Sequence, residues 1–297
     1  MSERITGVGS LVYGAYDQAA LDIQYSPSSR TTEMPEILAQ YASRSSAVRS
    51  ELSAQTDLQY GKEPCERLDL FPGKLPGAPL VVFVHGGYWQ ELSKDDSSFP
   101  ARGLVDSGAA FAAVGYGLAP RYRLDEIVEQ IRCSLEFLIE QARELGFDPA
   151  RIHLVGHCAG AHLVLMSLLD DWRPGGKSPA EAFAGATLIS GVYDLEPLSL
   201  TYVNEPLGLD RATARRLSPI HRLPDRFPPL IVARGGAETD EFCRQHDLFV
   251  EAATARAETV RALVATNRNH FDVAFDLSDP ATGLGTAQLE QLGIDAG

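Results

Sequence analysis

The stretch of residues 152–160, Ile-His-Leu-Val-Gly-His-Cys-Ala-Gly, decides the fold that we predict for this chain of 297 residues. Its first four residues form a short, largely apolar run typical of a buried strand, and a helix-like stretch over residues 161–169 follows. The two glycines frame a sharp turn from strand to helix, which holds the residue between them in a strained, exposed position. In this G-x-C-x-G pattern Cys158 occupies the place of a nucleophile.

Strand-like and helix-like stretches alternate on both sides of this turn. A run of alternating polar and apolar residues predicts an edge strand over residues 67–70. Apolar runs predict further strands at residues 80–84, 109–114, 152–155, 186–189, 230–233 and 259–264. The clearest helix, over residues 124–145, carries a wide apolar stripe and is ended by Gly146. We therefore predict an α/β fold with a mainly parallel central sheet flanked by helices.

We expect residues 1–297 to form one domain with two additions. Apolar residues at helical spacing after Pro35 predict an N-terminal helical extension over about residues 20–60. Residues 195–229 contain six prolines and are too long for a simple turn. Two interpretations of this insertion have equal weight: a short cap over the carboxyl edge of the sheet, where open α/β folds bind ligands, or a surface loop with one short helix.

The composition excludes several classes of partner. There are 26 Lys and Arg residues against 40 Asp and Glu residues, and the net charge of −14 repels phosphate backbones and anionic lipids. No apolar run approaches the roughly 20 residues that span a bilayer. The first ten residues lack a targeting segment, and the four cysteines form no C-x-x-C pair. We therefore predict a cytoplasmic protein that binds a small molecule, not nucleic acid or membrane, and that is compatible with a homodimer.

Cys158 is the candidate nucleophile. Most free cysteines are small buried hydrophobes, and this interpretation stands for Cys65, Cys133 and Cys243. Cys158 differs because the positive end of the following helix dipole, and a nearby imidazolium, favour the thiolate form of a thiol.

A second motif, His85-Gly86-Gly87-Tyr88-Trp89, follows the predicted strand at residues 80–84. Its glycines allow backbone N–H groups to point into a site, and we predict an oxyanion hole formed by Gly86, Gly87 and the amide of Ala159. The candidate substrate-binding residues are Tyr88, Trp89 and His157. Aromatic side chains at such positions serve packing equally often.

The base and the acid are expected to follow the last two strands, because the order along the chain is nucleophile, acid, base. His270 lies in a polar loop after the last strand. Glu238 and Asp240 both qualify as the acid that orients it, and the ordinary role of either is a charge at the start of a helix over residues 241–255. His157 and His162 match no familiar zinc-ligand spacing, so we predict neither a metal nor a cofactor.

Taken together, these motifs resemble the kynurenine formamidase (arylformamidase) branch of the α/β hydrolases. The resemblance extends over about residues 20–277 and rests on Tyr25-Ser26-Pro27-Ser28, His85-Gly86-Gly87-Tyr88-Trp89-Gln90, Tyr116-Gly117-Leu118-Ala119-Pro120, Gly156-His157-Cys158-Ala159-Gly160-Ala161-His162-Leu163, Ser190-Gly191-Val192-Tyr193-Asp194-Leu195-Glu196-Pro197, Glu241-Phe242-Cys243-Arg244-Gln245 and Asn269-His270-Phe271. The elbow and the H-G-G-x-W pattern recur in many esterases, whereas the joint set is specific.

The resemblance implies an α/β-hydrolase fold and cleavage of a small aromatic N-acyl compound (an N-formylkynurenine-like arylformamide) or ester through a covalent acyl-enzyme. Cys158 stands where the family has its nucleophilic serine, and His270 stands on the general base. Glu238, three residues before the Glu-Phe pair, stands on the acid in place of the usual aspartate. The cysteine, natural or introduced into a serine enzyme, leaves two alternatives open: a Cys-dependent acyltransferase or thioesterase, and a catalytically silent binding protein.

Overall fold

A computed structural model of the protein describes residues 10–169 and 171–295. Residues 1–9, over which we predict no targeting segment, lie outside the described residues. The described strands are β1 Gln55–Gln59, β2 Arg67–Phe71, β3 Ala78–Val84, β4 Ala110–Val114, β5 Phe147–His157, β6 Gly185–Ile189, β7 Leu230–Gly235 and β8 Val260–Ala265. The described α-helices are α1 Gln18–Gln24, α2 Met34–Glu51, α3 Ala101–Asp106, α4 Leu124–Leu145, α5 Ala159–Ser167, α6 Pro179–Ala182, α7 Asn204–Leu207, α8 Arg211–Arg216, α9 Asp240–Thr254 and α10 Gly283–Gln291. Short 3-10 helices cover Pro27–Arg30, Lys94–Asp96, Pro174–Gly176, Leu198–Leu200, Pro219–His221 and Asp272–Ser278.

The strands form one sheet in the order β1-β2-β4-β3-β5-β6-β7-β8. The neighbouring pairs from β4 to β8 are parallel, whereas β2 is antiparallel to both β4 and β1. The predicted α/β architecture with a mainly parallel sheet is confirmed. Strand β1 was not predicted from the sequence. Its residues are mostly polar and exposed, because it lies at the edge of the sheet: Gln-Thr-Asp-Leu-Gln.

The sheet is buried on both faces, which is why its central strands are continuously apolar. In β3, Leu80, Val82 and Val84 contribute to the core under α4, α5 and α9. The alternate residues Val81 and Phe83 contribute to a second core under α3 and α10. Side chains of a strand point to opposite faces in turn, so one apolar strand supplies both cores.

The N-terminal segment packs against the carboxyl edge of the sheet. Helix α2 begins at Met34 with Pro35 in its first turn, as predicted. The hydroxyl of Tyr25, just after α1, donates to the carboxylate of Glu241 in α9 at 3.0 Å. The Tyr41 hydroxyl in α2 donates to the backbone carbonyl of Phe271. These two hydrogen bonds hold the segment after α1 against α9 and hold α2 against the loop that follows β8.

Residues 195–229 form two short α-helices, α7 and α8, and two 3-10 turns. None of the helices within residues 10–169 and 171–295 combines the length and apolar character needed to cross a bilayer.

The turn between β5 and α5 depends on close contact with β3. A Cβ atom at Gly160 would lie 2.0 Å from the backbone oxygen of Val84 and 2.6 Å from that of His85. A Cβ atom at Gly156 would lie 2.3 Å from the backbone oxygen of Gly160. Both glycines of the G-x-C-x-G pattern are therefore required by backbone packing.

We expect Gly160→Ala to lower the free energy of unfolding by about 1–3 kcal/mol or more, because the added methyl group meets backbone atoms that cannot rotate away. Urea unfolding followed by circular dichroism measures this effect. The matched control is Gly283→Ala at the start of α10, where a Cβ atom meets nothing within 4 Å. Equal unfolding midpoints for the two variants would contradict the packing argument.

Candidate active site

Four strand ends, those of β3, β5, β7 and β8, bring the predicted site residues to one edge of the sheet. Cys158 follows β5, and its backbone has φ 53° and ψ −117°, a left-handed conformation that a non-glycine residue rarely adopts. Such a conformation costs of order 1–3 kcal/mol, and it is maintained here by the glycine contacts described above. The Cys158 N–H donates to the carbonyl of Ile189 at the end of β6 at 2.8 Å. The turn is thereby tied to its neighbouring strand.

The structure brings the side chains of Cys158, His270 and Glu238 together, and a hydrogen bond joins His270 to Glu238. All three side chains are buried. Nδ1 of His270 lies 2.9 Å from Oε2 of Glu238, and the Cys158 side chain is near enough to the same imidazole to affect its pKa. Because the carboxylate only accepts hydrogen bonds, Nδ1 carries a proton and donates it.

Burial and charge act in opposite directions on this pair. Burial by itself lowers the pKa of His270, but the Glu238 carboxylate and the Cys158 sulfur raise that pKa to about 10. Burial raises the pKa of Glu238, yet the His270 charge and its hydrogen bond bring it below the ordinary value. The interaction of protonated His270 with its partners therefore stabilises the folded state fully below about pH 6.5, the pKa of histidine in the unfolded chain. This stabilisation is lost as the pH rises through about 10, the pKa in the folded state.

Ser190 is a residue of this site that sequence reasoning missed. It follows β6 with φ 51°, and its hydroxyl donates to Oε1 of Glu238 at 2.6 Å. Both oxygens of the Glu238 carboxylate thus have a partner, one in His270 and one in Ser190. The available signal was a serine directly after a strand, at the start of the family-like Ser190–Pro197 motif.

Asp240 is not the partner of His270. It is the first residue of α9, its side chain is 71% exposed, and it lies 3.9 Å from Arg30. The Gln24 side chain donates to it at 3.4 Å. Of the two carboxylates that the sequence allowed, Asp240 therefore has the ordinary role at a helix start, and Glu238 faces the histidine.

His157 holds the loop that carries His270. Its Nε2 lies 2.8 Å from the backbone oxygen of His270, so Nε2–H is the donor. Burial, with the neighbouring His270 charge, lowers the pKa of His157 to about 3, and the ring is neutral at physiological pH. His157 also lines the cavity beside Cys158, where sequence reasoning had placed it as a substrate contact.

The backbone groups predicted for the oxyanion hole lie next to Cys158. A Cβ atom at Gly86 would be 3.0 Å from the Cys158 Cβ, so the Gly86 backbone runs directly beside it. Gly87 lines the same cavity with φ 95°. Ala159 is the first residue of α5, where a helix leaves its N–H group without an acceptor inside the helix.

A cavity of about 270 Å³ opens onto Cys158 and His270. Its volume lies just below the roughly 300–1,000 Å³ of sites for drug-sized ligands. The cavity wall comes from segments that are far apart in the sequence. They contribute Met34, Leu38 and Tyr41 of α2, Tyr88 after β3, and Tyr202 and Val203 of the insertion. Residues 195–229 thus contribute Tyr202 and Val203 to the cavity wall.

Trp89, which we predicted as a substrate-binding residue, does not line the cavity beside Cys158. The Trp89 side chain is fully buried in the core, and its ring packs edge-on against His162 with centroids 5.0 Å apart. Residues 87–89 all have positive φ, and this left-handed turn directs Trp89 into the core, whereas its neighbour Tyr88 lines the cavity.

One cluster of described residues has metal-ligand types. Ligand atoms of Asp194, Glu196 and His221 lie within 4.8 Å of one another. Glu196, however, pairs with Arg215 at 2.6 Å and with Arg211 at 3.3 Å, and its pKa is lowered by these arginines. The carboxylate is already neutralised, so the cluster is a surface ion-pair network.

Comparison with known proteins agrees with this geometry. A kynurenine formamidase from Danio rerio is 35% identical over 286 residues, covering 92% of this chain and 96% of the relative. The chain belongs to the kynurenine formamidase family. The BD-FAE family model also matches, at residues 69–172.

Solved structures place this family member among the α/β hydrolases. A protein from Silicibacter sp. tm1040, provisionally described as a thioesterase, is 32% identical with a TM-score of 0.77, covering 90% of this chain and 97% of that one. Esterase B from Lactobacillus rhamnosis is 21% identical with a TM-score of 0.68, covering 90% and 94%, and shares the fold. The chain is therefore an α/β-hydrolase enzyme of the esterase and formamidase type.

We expect Glu238→Gln to lower the pKa of His270 from about 10 to near or below its ordinary value of about 6.5, because burial then acts without the carboxylate. Ser190→Ala should lower it less, since only one hydrogen bond to the carboxylate is lost. The imidazole proton resonances followed by NMR against pH measure the change. Asp240→Asn is the matched control and should leave the titration unaltered. Identical titrations in Glu238→Gln and Asp240→Asn would contradict the ion pair.

Proposed function

We propose that this enzyme cleaves small aryl formamides or aryl esters through a covalent acyl-enzyme on Cys158. The observation that carries the proposal is the buried line from Glu238 through His270 to Cys158, located at the floor of the cavity. Acyl transfer needs a nucleophile, a base beside it, and a group that orients the base. Kynurenine formamidase relatives add support for an aryl formamide.

The proposed reaction has two steps. The Cys158 sulfur attacks the acyl carbon, and the oxygen that becomes negative accepts hydrogen bonds from the amides of Gly86, Gly87 and Ala159. The imidazolium of His270 then gives its proton to the leaving nitrogen or oxygen as the bond to the acyl carbon breaks. In the second step His270 takes a proton from water, the hydroxide attacks the thioester, and the thiol is regenerated.

The raised pKa of His270 suits the first step more than the second. At neutral pH the imidazole holds the proton that the leaving group requires. Once the sulfur is acylated, the contribution of Cys158 that raises the pKa of His270 is removed. The imidazole of the acyl-enzyme then loses its proton more readily and can act as a base toward water.

We expect a 4-nitrophenyl ester to acylate Cys158, as measured by intact mass and peptide mapping. Iodoacetamide should likewise modify Cys158 before Cys133, although Cys133 is exposed and Cys158 is buried. Partial desolvation raises the pKa values of Cys133 and Cys243, and nearby glutamates add to this at Cys133, so both thiols are protonated at neutral pH. Cys158→Ala is the control. Absence of acylation, or alkylation of the other cysteines first, would show that the nucleophile is wrongly assigned.

A second candidate function is acyl transfer to an amine or thiol, or cleavage of a thioester. The thiol nucleophile favours it, because thiolate leaves a tetrahedral intermediate more readily than an amine does, and a thioester accepts amines and thiols better than water. The provisional description of the Silicibacter protein as a thioesterase points the same way.

The two candidates differ in where the acyl group goes. With an aryl ester, propylamine and 2-mercaptoethanol present together, a hydrolase releases mainly the free acid, whereas an acyltransferase forms mainly amide or thioester. Product analysis by liquid chromatography distinguishes them. We expect Cys158→Ser to cleave N-formylkynurenine at least about tenfold faster than the parent, since an alkoxide leaves less readily than a thiolate. No turnover of any formamide or ester by either protein would end the aryl formamidase proposal.

A further inference from the structure

Two consecutive backbone carbonyls at the proposed base each accept a hydrogen bond from a buried side chain. The Nε2–H of His157, at the end of β5, donates to the carbonyl of His270 at 2.8 Å. The hydroxyl of Tyr41, in α2, donates to the carbonyl of the next residue, Phe271. The side chains of both donors are removed from water. The central sheet and the N-terminal extension, which are far apart in the sequence, therefore meet at one loop.

Hydrogen bonds within the loop fix its shape but do not attach it to its surroundings. Oδ1 of Asn269 accepts the N–H groups of Phe271 at 2.8 Å and of Asp272 at 3.0 Å. Oδ1 of Asp272 accepts the N–H of Asn269 at 2.6 Å. None of these three bonds reaches another element. Among the hydrogen bonds of residues 10–169 and 171–295, those from His157 and Tyr41 tie the backbone of residues 270 and 271 to other elements.

The Tyr41 ring is itself held in one place. It stacks on Phe99 with centroids 4.5 Å apart and meets Phe275 edge-on at 5.2 Å. The Ser45 hydroxyl, one turn further along α2, accepts the N–H of Phe99 at 3.0 Å. Because side chains in such an interior are close-packed, the ring cannot shift without disturbing its neighbours. A hydroxyl on a ring held in this way can set the position of a loop.

The base tolerates little displacement. Nδ1 of His270 must stay 2.9 Å from Oε2 of Glu238 while the same ring remains next to Cys158. A hydrogen bond weakens steeply when its geometry is distorted, and a 1 Å misplacement of reacting groups can lower a rate by about 100-fold. Glu238 and His270 follow different strands, β7 and β8, so their alignment depends on what holds each loop.

We propose that Tyr41 and His157 are positioning residues for the base. By holding two consecutive carbonyls, they keep the His270 imidazole aligned with Glu238 and Cys158. The N-terminal extension then does more than form a wall of the cavity, because its helix α2 sets the position of the base. This inference goes beyond the proposed function in assigning the two roles, and it rests on that function wherever turnover is measured.

The first test removes one hydroxyl and keeps the ring. We expect Tyr41→Phe to lower kcat for a 4-nitrophenyl ester at least about tenfold and to leave KM within about twofold, because the base is displaced while the cavity wall is retained. The matched control is Tyr60→Phe. The Tyr60 hydroxyl also donates to a backbone carbonyl, that of Gly115, and Tyr60 lies outside the cavity lining. Equal kcat values for the two variants would overturn the role of Tyr41.

A second measurement does not depend on turnover. The His270 imidazole of the parent has a pKa of about 10, which is raised by its close contact with Glu238 and Cys158. A loosely held imidazole leaves these partners for part of the time, so we expect Tyr41→Phe to lower this pKa by at least about 1, and Tyr60→Phe to leave it unaltered. NMR of the imidazole protons against pH measures it. A purely structural hydroxyl would lower only the urea unfolding midpoint, and that result would overturn the proposal.

A pair of variants at residue 157 tests the other hydrogen bond. Glutamine carries an N–H donor on its side-chain amide, whereas leucine carries none. We expect His157→Leu to lower both kcat and the pKa of His270, as Tyr41→Phe does. His157→Gln should retain at least about threefold more of kcat than His157→Leu, because the carbonyl of residue 270 keeps a donor. Equal impairment of the two variants would overturn the role of His157.

Failure of this inference and failure of the proposed function give different results. The NMR titration needs only the folded protein, and the acylation experiment uses the parent enzyme. Acylation of Cys158 together with an unaltered His270 titration in Tyr41→Phe would overturn only the positioning role. A lowered pKa of His270 in Tyr41→Phe, without acylation of Cys158 in the parent, would overturn only the proposed chemistry.

Discussion

The close contact between Gly160 and the backbone oxygens at the end of β3 is the constraint on which the site depends. It leaves no room for a side chain at Gly160, so α5 starts directly against the neighbouring strand. The same approach brings the Gly86 backbone beside Cys158, because Gly86 follows β3 within two residues. The turn that carries the sulfur and the loop that offers backbone N–H groups are thus one packed unit, and the strain at Cys158 is balanced by packing around it.

A second constraint is the cost of burying charge. Glu238 and His270 are both removed from water, and an unpaired ion in that place would cost several kcal/mol. Their mutual contact offsets this cost, and the Ser190 hydroxyl satisfies the remaining carboxylate oxygen. The two partners come from loops after β7 and β8, whose register the sheet fixes. The parallel sheet therefore supplies the precision that two flexible loops would lack.

The parts of the site that follow strand ends were accessible from the sequence, whereas those built by distant segments were not. Cys158, Glu238 and His270 each lie just beyond an apolar strand, and parallel strands end at one edge. Ser190 met the same criterion and begins a family-like motif, but nothing in the sequence indicated that its hydroxyl contacts Glu238. Trp89 lies in the core and not in the cavity wall, and the positive φ angles of residues 87–89 that accompany this position are not visible in the residue pattern.

The wall of the cavity and the reacting groups come from separate parts of the chain, and this separation has a chemical consequence. Helix α2 and the insertion contribute the surfaces that would touch an aryl group, and strand ends contribute the proposed nucleophile, base and acid. Replacing the sulfur of residue 158 by oxygen would change which bond of a tetrahedral intermediate breaks. The same replacement would leave the cavity wall unchanged, including Met34, Leu38 and Tyr202. In the proposed mechanism, the residues that contact the aryl group are therefore different from the residue that determines whether water, an amine or a thiol receives the acyl group. Tyr41 is the exception: it lines the cavity and holds the Phe271 carbonyl next to His270, so it joins the two parts.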